Sequence, residues 1–207
     1  MPSNLKGTQR IGDANSDFNA INAMIRRVML MMGADLPVQV MAVHGEGLNP
    51  VGFVDVHPLV PMQDGYGKTY PHGTIYNVPY IRIQGGARAI ICDPAVGDIG
   101  FIMIAGRDIS NVKSNRSESP PGSFRYNDFS DAVYIGGLLN AAPQEYIGWL
   151  GGDIHVHTAG QFIVDASSMQ VNCSINCTGD VTAGNISLEN HVHGGVSSGS
   201  STTDQPQ

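Results

Sequence analysis

Residues 151–190 cannot bury their own apolar side chains. Ile154 and Val156 alternate with polar neighbours, and Phe162 and Val164 follow. Met169, Val171, Cys173, Ile175 and Cys177 keep the same period of two, and Val181, Ile186 and Leu188 continue it. Side chains alternate across a strand, so this spacing makes one face apolar and leaves the other small and polar. Gly160, Gly179-Asp180 and Gly184-Asn185 break the run into short pieces. About forty residues with a single apolar face are too few to enclose it. Wound together with two further copies, the faces close on one another, by the logic that makes stacked repeats interdependent. The stretch therefore predicts an intertwined trimeric β-helix. Cys173 and Cys177 share the apolar face and read as small buried hydrophobes, not as ligands.

Upstream the periodicity changes. Residues 1–14 read as a polar arm. Residues 15–33 predict a helix, because Phe18, Ile21, Met24, Ile25, Val28, Met29 and Met32 recur at spacings of three and four. Asn15 or Ser16 can cap its start, and Gly33 and Pro37 can stop it. The methionine-rich stripe reads as a packing face against another subunit or domain. From residue 36 the pattern is β, with strands expected at 38–43, 51–59, 73–83, 87–92 and 98–105, the last continuous enough to be fully buried. Short strands separated by Gly and Pro turns fit a small closed barrel such as an OB-fold over 36–110. Residues 110–130, with Pro120-Pro121-Gly122, read as a loop. The segment from Asp131 to Leu139 is either a final strand or a collar. The expected organisation is an arm and helix over 1–35, a barrel over 36–110, a linker or collar over 111–150, the β-helix over 151–190 and a terminal segment over 191–207. The fold class is all-β: an N-terminal helix and OB-fold barrel followed by an intertwined trimeric β-helix needle.

Charge and cysteine use narrow the function. The net charge of -7 argues against nucleic acid, which requires a basic face. Three cysteines do not suggest a disulfide framework. No apolar window is long enough for a membrane-spanning helix, and Met1-Pro2-Ser3-Asn4 opens no apolar core of signal-peptide type, so synthesis in a cytoplasm is expected.

The terminal segment carries the chemistry. His191 and His193 are spaced by two, so an extended backbone puts both imidazoles on one face. One chain supplies too few ligands to close a metal site, whereas three chains on a threefold axis supply a six-coordinate shell. The residues alone leave two readings open: a metal-binding pair, or a solvated tail continuous with the Ser/Gly-rich stretch that follows. Strict alternation from Leu188 points both histidines outward, so the pair can meet on an axis only if the chain bends near Glu189-Asn190. His155 and His157 repeat the spacing, but Ile154 and Val156 are the inward residues there, and a second ion at His155 and His157 is left open. His44, His57 and His72 read as ordinary surface histidines. An HxH pair can begin a metallohydrolase site, but catalytic zinc needs a third protein ligand and an open position. With no nucleophile elbow or phosphate loop either, no enzyme is expected.

Three stretches resemble a known family. They are the run Gly97-Asp98-Ile99-Gly100-Phe101-Ile102-Met103-Ile104-Ala105-Gly106-Arg107-Asp108-Ile109-Ser110, the run Phe129-Ser130-Asp131-Ala132-Val133-Tyr134-Ile135-Gly136-Gly137, and the apex His191-Val192-His193-Gly194-Gly195-Val196 with Gly199, Thr203 and Pro206. Together they resemble the central baseplate spike proteins of contractile-tailed bacteriophages, the Mu-type spikes, over most of the chain from about residue 36. The resemblance implies a homotrimeric virion component at the baseplate tip, in contact with hub or tail-tube proteins. Its role would be to pierce the host outer membrane when the sheath contracts. It implies one structural iron per trimer held by His191 and His193 of three chains, and leaves calcium or chloride near the tip as further candidates. Imidazole suits iron, and six-coordination disfavours zinc. The alternative is a receptor-binding tail fibre or adhesin on the same trimeric architecture. No aromatic residue follows Phe162, which favours a point over a glycan-binding head.

Overall fold

The computed structural model describes residues 11–192, 195, 199 and 200. They are mainly β, with 30% strand against 14% helix, as the all-β reading expects. Two compact units follow one another, Met1–Pro143 and Gln144–Gln207.

The N-terminal unit opens with a 3-10 turn, Ile11–Ala14, and helix α1, Asp17–Met31. Ser16 caps the helix, its hydroxyl accepting the Asn19 N–H at 3.2 Å, and so satisfies a donor that the first turn leaves unpaired. Met32 is extended, and the helix ends there. Asn19 and Arg26 tie α1 back to the 3-10 turn, through the Gly12 carbonyl at 3.1 Å and the Asp13 carboxylate at 2.7 Å. The apolar stripe lies open, from Phe18 at 74% exposure to Met32 at 43%.

A sheet of five strands follows. Strands β1 (Leu36–His44) and β2 (Phe53–Pro58) lead into a small hairpin, β3 (Met62–Gln63) with β4 (Thr69–Tyr70), and then β5 (Ile75–Pro79). A second hairpin, β6 (Ile83–Gly85) with β7 (Arg88–Ile90), precedes β8 (Ile99–Ile104), the short helix α2 (Ser110–Asn115) and β9 (Ala132–Ile135). The sheet order is β5-β2-β1-β8-β9, and each of these neighbours is antiparallel. Its two edges then meet: Tyr80 bridges Tyr134 in the parallel sense, and Ile81 N–H donates to the Tyr134 carbonyl at 3.1 Å. Val38 and Val40, Val54 and Val56, Ile75 and Val78, Ile102, Ala132 and Tyr134 fill the space that this closure encloses.

Two details differ from the sequence-based expectation. The segment expected as a strand at 87–92 pairs only locally, as β7 with β6, while the fifth place in the sheet goes to Ala132–Ile135. The sheet therefore draws on residues beyond 110, and the segment left as strand or collar supplies a strand. In addition, β8 alternates where a fully buried strand was expected. Ile102 is sealed in the core, whereas Phe101 and Met103 face outward, because only one side of the strand has a layer packed on it.

Polar groups fasten the ends of the sheet. Asp131 is fully buried, and it accepts Arg125 Nε at 2.7 Å, Arg125 Nη2 at 2.7 Å and Ile109 N–H at 3.0 Å. Asp108 joins the same guanidinium at 2.9 Å. Hydrogen bonds from Ser110 and Ser123, with the charge of Arg125, hold the Asp108 carboxyl near a pKa of about 2 against an ordinary 3.8. At the other end Asp93 receives Arg82 at 2.6 Å, the Tyr80 hydroxyl at 2.8 Å and the Gly47 N–H at 2.7 Å.

Two outcomes follow. A Cβ at Gly100 would run into the Tyr134 ring and the Ile135 carbonyl. Gly100→Ala is therefore expected to destabilise this unit by about 1–3 kcal/mol, read from the midpoint of urea unfolding. Asp108 is more acidic folded than unfolded, so its contribution is complete above the unfolded value of 3.8 and is lost as pH falls toward about 2. Asp108→Asn should flatten the fall in melting temperature across that window; an unchanged acid slope would contradict the assignment.

Candidate metal centre

The C-terminal unit begins with a hairpin, β10 (Tyr146–Leu150) against β11 (Asp153–His157). Ile147, Trp149, Ile154 and Val156 share one of its faces, since Ile147 pairs with Val156 and Trp149 with Ile154. His155 and His157 lie on the other face; His157 stacks on Tyr146 at 5.5 Å between ring centroids, and His155 sits opposite Gly148. Both are exposed, as are Ile154 and Val156 on the opposite face.

Beyond 157 the chain runs without regular strand to Thr182. There β12 (Thr182–Ala183) pairs with β13 (Ile186–Ser187) around Gly184-Asn185. A two-residue loop with positive φ at its first position is a type II′ turn, whose twist suits the flanking strands, and Gly184 supplies φ +62°. Leu188 N–H donates to the Val181 carbonyl at 2.9 Å, and Glu189 N–H donates to Asp180 at 3.0 Å. The Asp180 carboxyl is held below its ordinary range, first by the Ser187 hydroxyl and then by backbone N–H groups of the hairpin.

Ser187 is the pivot of the terminal segment. Its hydroxyl accepts the Asn190 N–H at 2.8 Å, which folds residues 188–190 into a turn. The chain therefore turns at 188–190, ahead of the histidine pair. The Ser187 carbonyl accepts both the His191 N–H at 3.2 Å and the His191 ring Nδ1 at 2.9 Å. A carbonyl only accepts, so Nδ1 is the donor in this contact. Metal-binding histidines are commonly oriented in this way, with one nitrogen donating to a backbone carbonyl and the other ligating. The Nδ1 contact is of the kind that orients a metal-binding histidine.

His193, the second expected ligand, lies outside the described residues, as do Gly194, Val196, Thr203 and Pro206. Among the described residues no group of three or more His, Cys, Asp or Glu side chains is placed to hold a metal ion within one chain. Asp180 and Ser187 had no part in the sequence-based reading of the site. The Ser-x-x-Asn spacing before the histidine was the available signal, since a serine hydroxyl accepting an amide three residues on makes a local turn.

His44, His57 and His72 belong to the N-terminal unit. His44 pairs with Asp55 at 3.0 Å on the sheet. His72 packs edge-on against Phe129 at 5.4 Å, and burial together with the nearby His57 lowers its pKa.

Residues 185–207 match the family described as the GpV Apex motif, the apex of gpV-type phage baseplate spikes, in agreement with the resemblance seen at the histidine pair. This apex is the metal-binding region at the tip of trimeric spikes, and the match supports a phage baseplate spike protein and a virion tail component. No curated protein matches the chain.

Gly184→Val should strain the II′ turn by about 1–2 kcal/mol and disturb the pivot beneath His191. Its checkable consequence is faster amide exchange at Leu188 and Glu189 than in the parent protein.

Proposed function

We propose that the chain is the central spike of a contractile phage tail, a homotrimer whose tip is clamped by iron and which pierces the host outer membrane. The observation that carries this reading is the C-terminal unit. Its apolar side chains are open along its length: Trp149 at 76%, Phe162 and Met169 at 71% and Leu188 at 68% exposure. Among the described residues of this unit, strand pairing is confined to two short hairpins. Such a segment gains a core only from other chains, and the apex motif at its end belongs to a spike that forms a trimer. Intertwining three copies would bury Val171, Ile175, Cys173 and Cys177, all unburied in the single chain. It would also turn the regular strand missing from 158–181 into strand pairing between chains.

In the N-terminal unit, the parallel contact between the edges of the sheet supports an OB-fold barrel, which would sit in the baseplate against hub or tail-tube proteins. At the tip, His191 and His193 of three chains would hold the ion, with the Ser187 carbonyl orienting the His191 ring. Iron supplies a six-coordinate centre that bonds all three chains where strand ends otherwise fray. The role is mechanical and not catalytic: interlocked strands offer no free edge to peel under axial load, and the low density of charge reduces the cost of entering a bilayer.

The decisive measurement is the mass of the purified protein in solution together with its metal content. A trimer carrying one iron, lost in His191→Ala/His193→Ala with a lower melting temperature, is the expected result. A metal-free trimer would favour the receptor-binding fibre instead, and a monomer would end both readings.

A further inference from the structure

The exposed stripe on α1 follows a stricter rule than general amphipathicity. Phe18, Ile21, Ile25, Val28 and Met32 are spaced three, four, three and four, the a and d positions of successive heptads. All are open to solvent within the chain. The bonds that α1 makes to its own 3-10 turn, through Asn19 and Arg26, lie on its polar side and leave this seam uncovered.

We propose that the seam is covered by two further copies of the same helix, forming a parallel three-helix coil that precedes the sheet in sequence. The proposal rests on the trimeric reading above and assigns α1 a role within it.

Residue type argues for copies of this helix over a different partner. Isoleucine at both a and d favours three or four strands over two, and the seam holds Ile25 at a, with β-branched Ile21 and Val28 at d. Charge argues the same way. Identical parallel helices place like residues at like heights, so a charged flank would repel itself. The flanking positions Asn22, Met24 and Met29 are neutral, and Asp17 sits in the first turn, where the helix dipole favours negative charge. Arg26 and Arg27 fall at the outward b and c positions. A groove on another protein would more commonly be matched by charges along the rim of the helix.

Length argues that the coil depends on the rest of the trimer. A helix of 15 residues is marginal alone in water. Three chains already held together elsewhere would raise the local concentration of the three helices enough for so short a seam to close. The helix also leaves the sheet from a fixed point. Gly33 N–H donates to the Asn127 carbonyl, a Cβ at Gly33 would collide with that carbonyl and with Ile104, and Asp35 accepts the Ile104 N–H at 3.0 Å.

The test places one cysteine inside the seam, Ile25→Cys, and one outside it, Arg27→Cys, in the full-length chain. Each variant is sized by sedimentation, oxidised with diamide and mapped by peptide mass, with the parent protein as baseline for Cys92, Cys173 and Cys177. The expected result is a trimer in which position 25 links chain to chain at least about tenfold more efficiently than position 27. Amides of 21–29 in the parent should likewise exchange at least about tenfold more slowly than in Ile21→Asp/Ile25→Asp. A trimer in which the two positions cross-link equally would overturn the coil and leave the trimer standing. Protection of α1 that appears only in assembled tails would give the seam to a baseplate partner and would also overturn the coil. A monomer would overturn coil and trimer together.

Discussion

An apolar surface that one chain cannot cover is the constraint on which the rest of this molecule depends. In the N-terminal unit the constraint is met internally. Valines from β1, β2 and β5 face Ile102 and Tyr134, and the contact between Tyr80 and Tyr134 removes the open edges of the sheet. In the C-terminal unit the apolar side chains lie exposed among the described residues. The difference is not hydrophobicity but chain path. The first unit returns on itself through antiparallel connections, whereas the second advances from 158 to 181 without regular strand. In the proposed trimer, other chains supply the cover for a segment that does not return.

Much of this was legible in the residues. The helix was, because a Ser cap and a three-four spacing are local signals that tertiary context rarely overturns. So were β1, β2, β5 and β8 as strands, with burial on one face setting the alternation of β1 and β2. The strand at 132–135 was one of two readings of its segment, strand or collar, and its place beside β8 was not legible, because pairing across a long polar loop is a choice of topology. Outward exposure of Phe101 and Met103 escaped for a related reason: a continuous apolar run looks the same whether one face or both are packed. The pairing of Ile83–Gly85 with Arg88–Ile90 was misplaced into the barrel because a strand pattern does not reveal its partner.

The candidate site was legible in its residues and not in its support. The terminal His-x-His spacing pointed to a metal, and the need for a bend before it followed from counting side chains from Leu188. What supplies the bend, a serine that bonds forward to Asn190 and His191 while its hydroxyl meets Asp180, is a matter of hydroxyl and carbonyl geometry that hydrophobic patterning does not encode. The buried Asp131–Arg125–Asp108 group belongs to the same class. Its members are scattered along polar loops, and only the closed sheet brings them together.

The hairpin beneath His191 has a consequence for the order of events. Its bonds join residues close in sequence: Thr182 pairs with Ser187, Leu188 with Val181, Glu189 with Asp180, and His191 with Ser187. Contacts of such short range form in microseconds and require no long loop to close. Residues 180–191 can therefore take their shape while the long segment before them is still unpaired. Where identical strands must choose among many registers that all look alike, a pre-shaped end offers a common zero from which alignment can be counted.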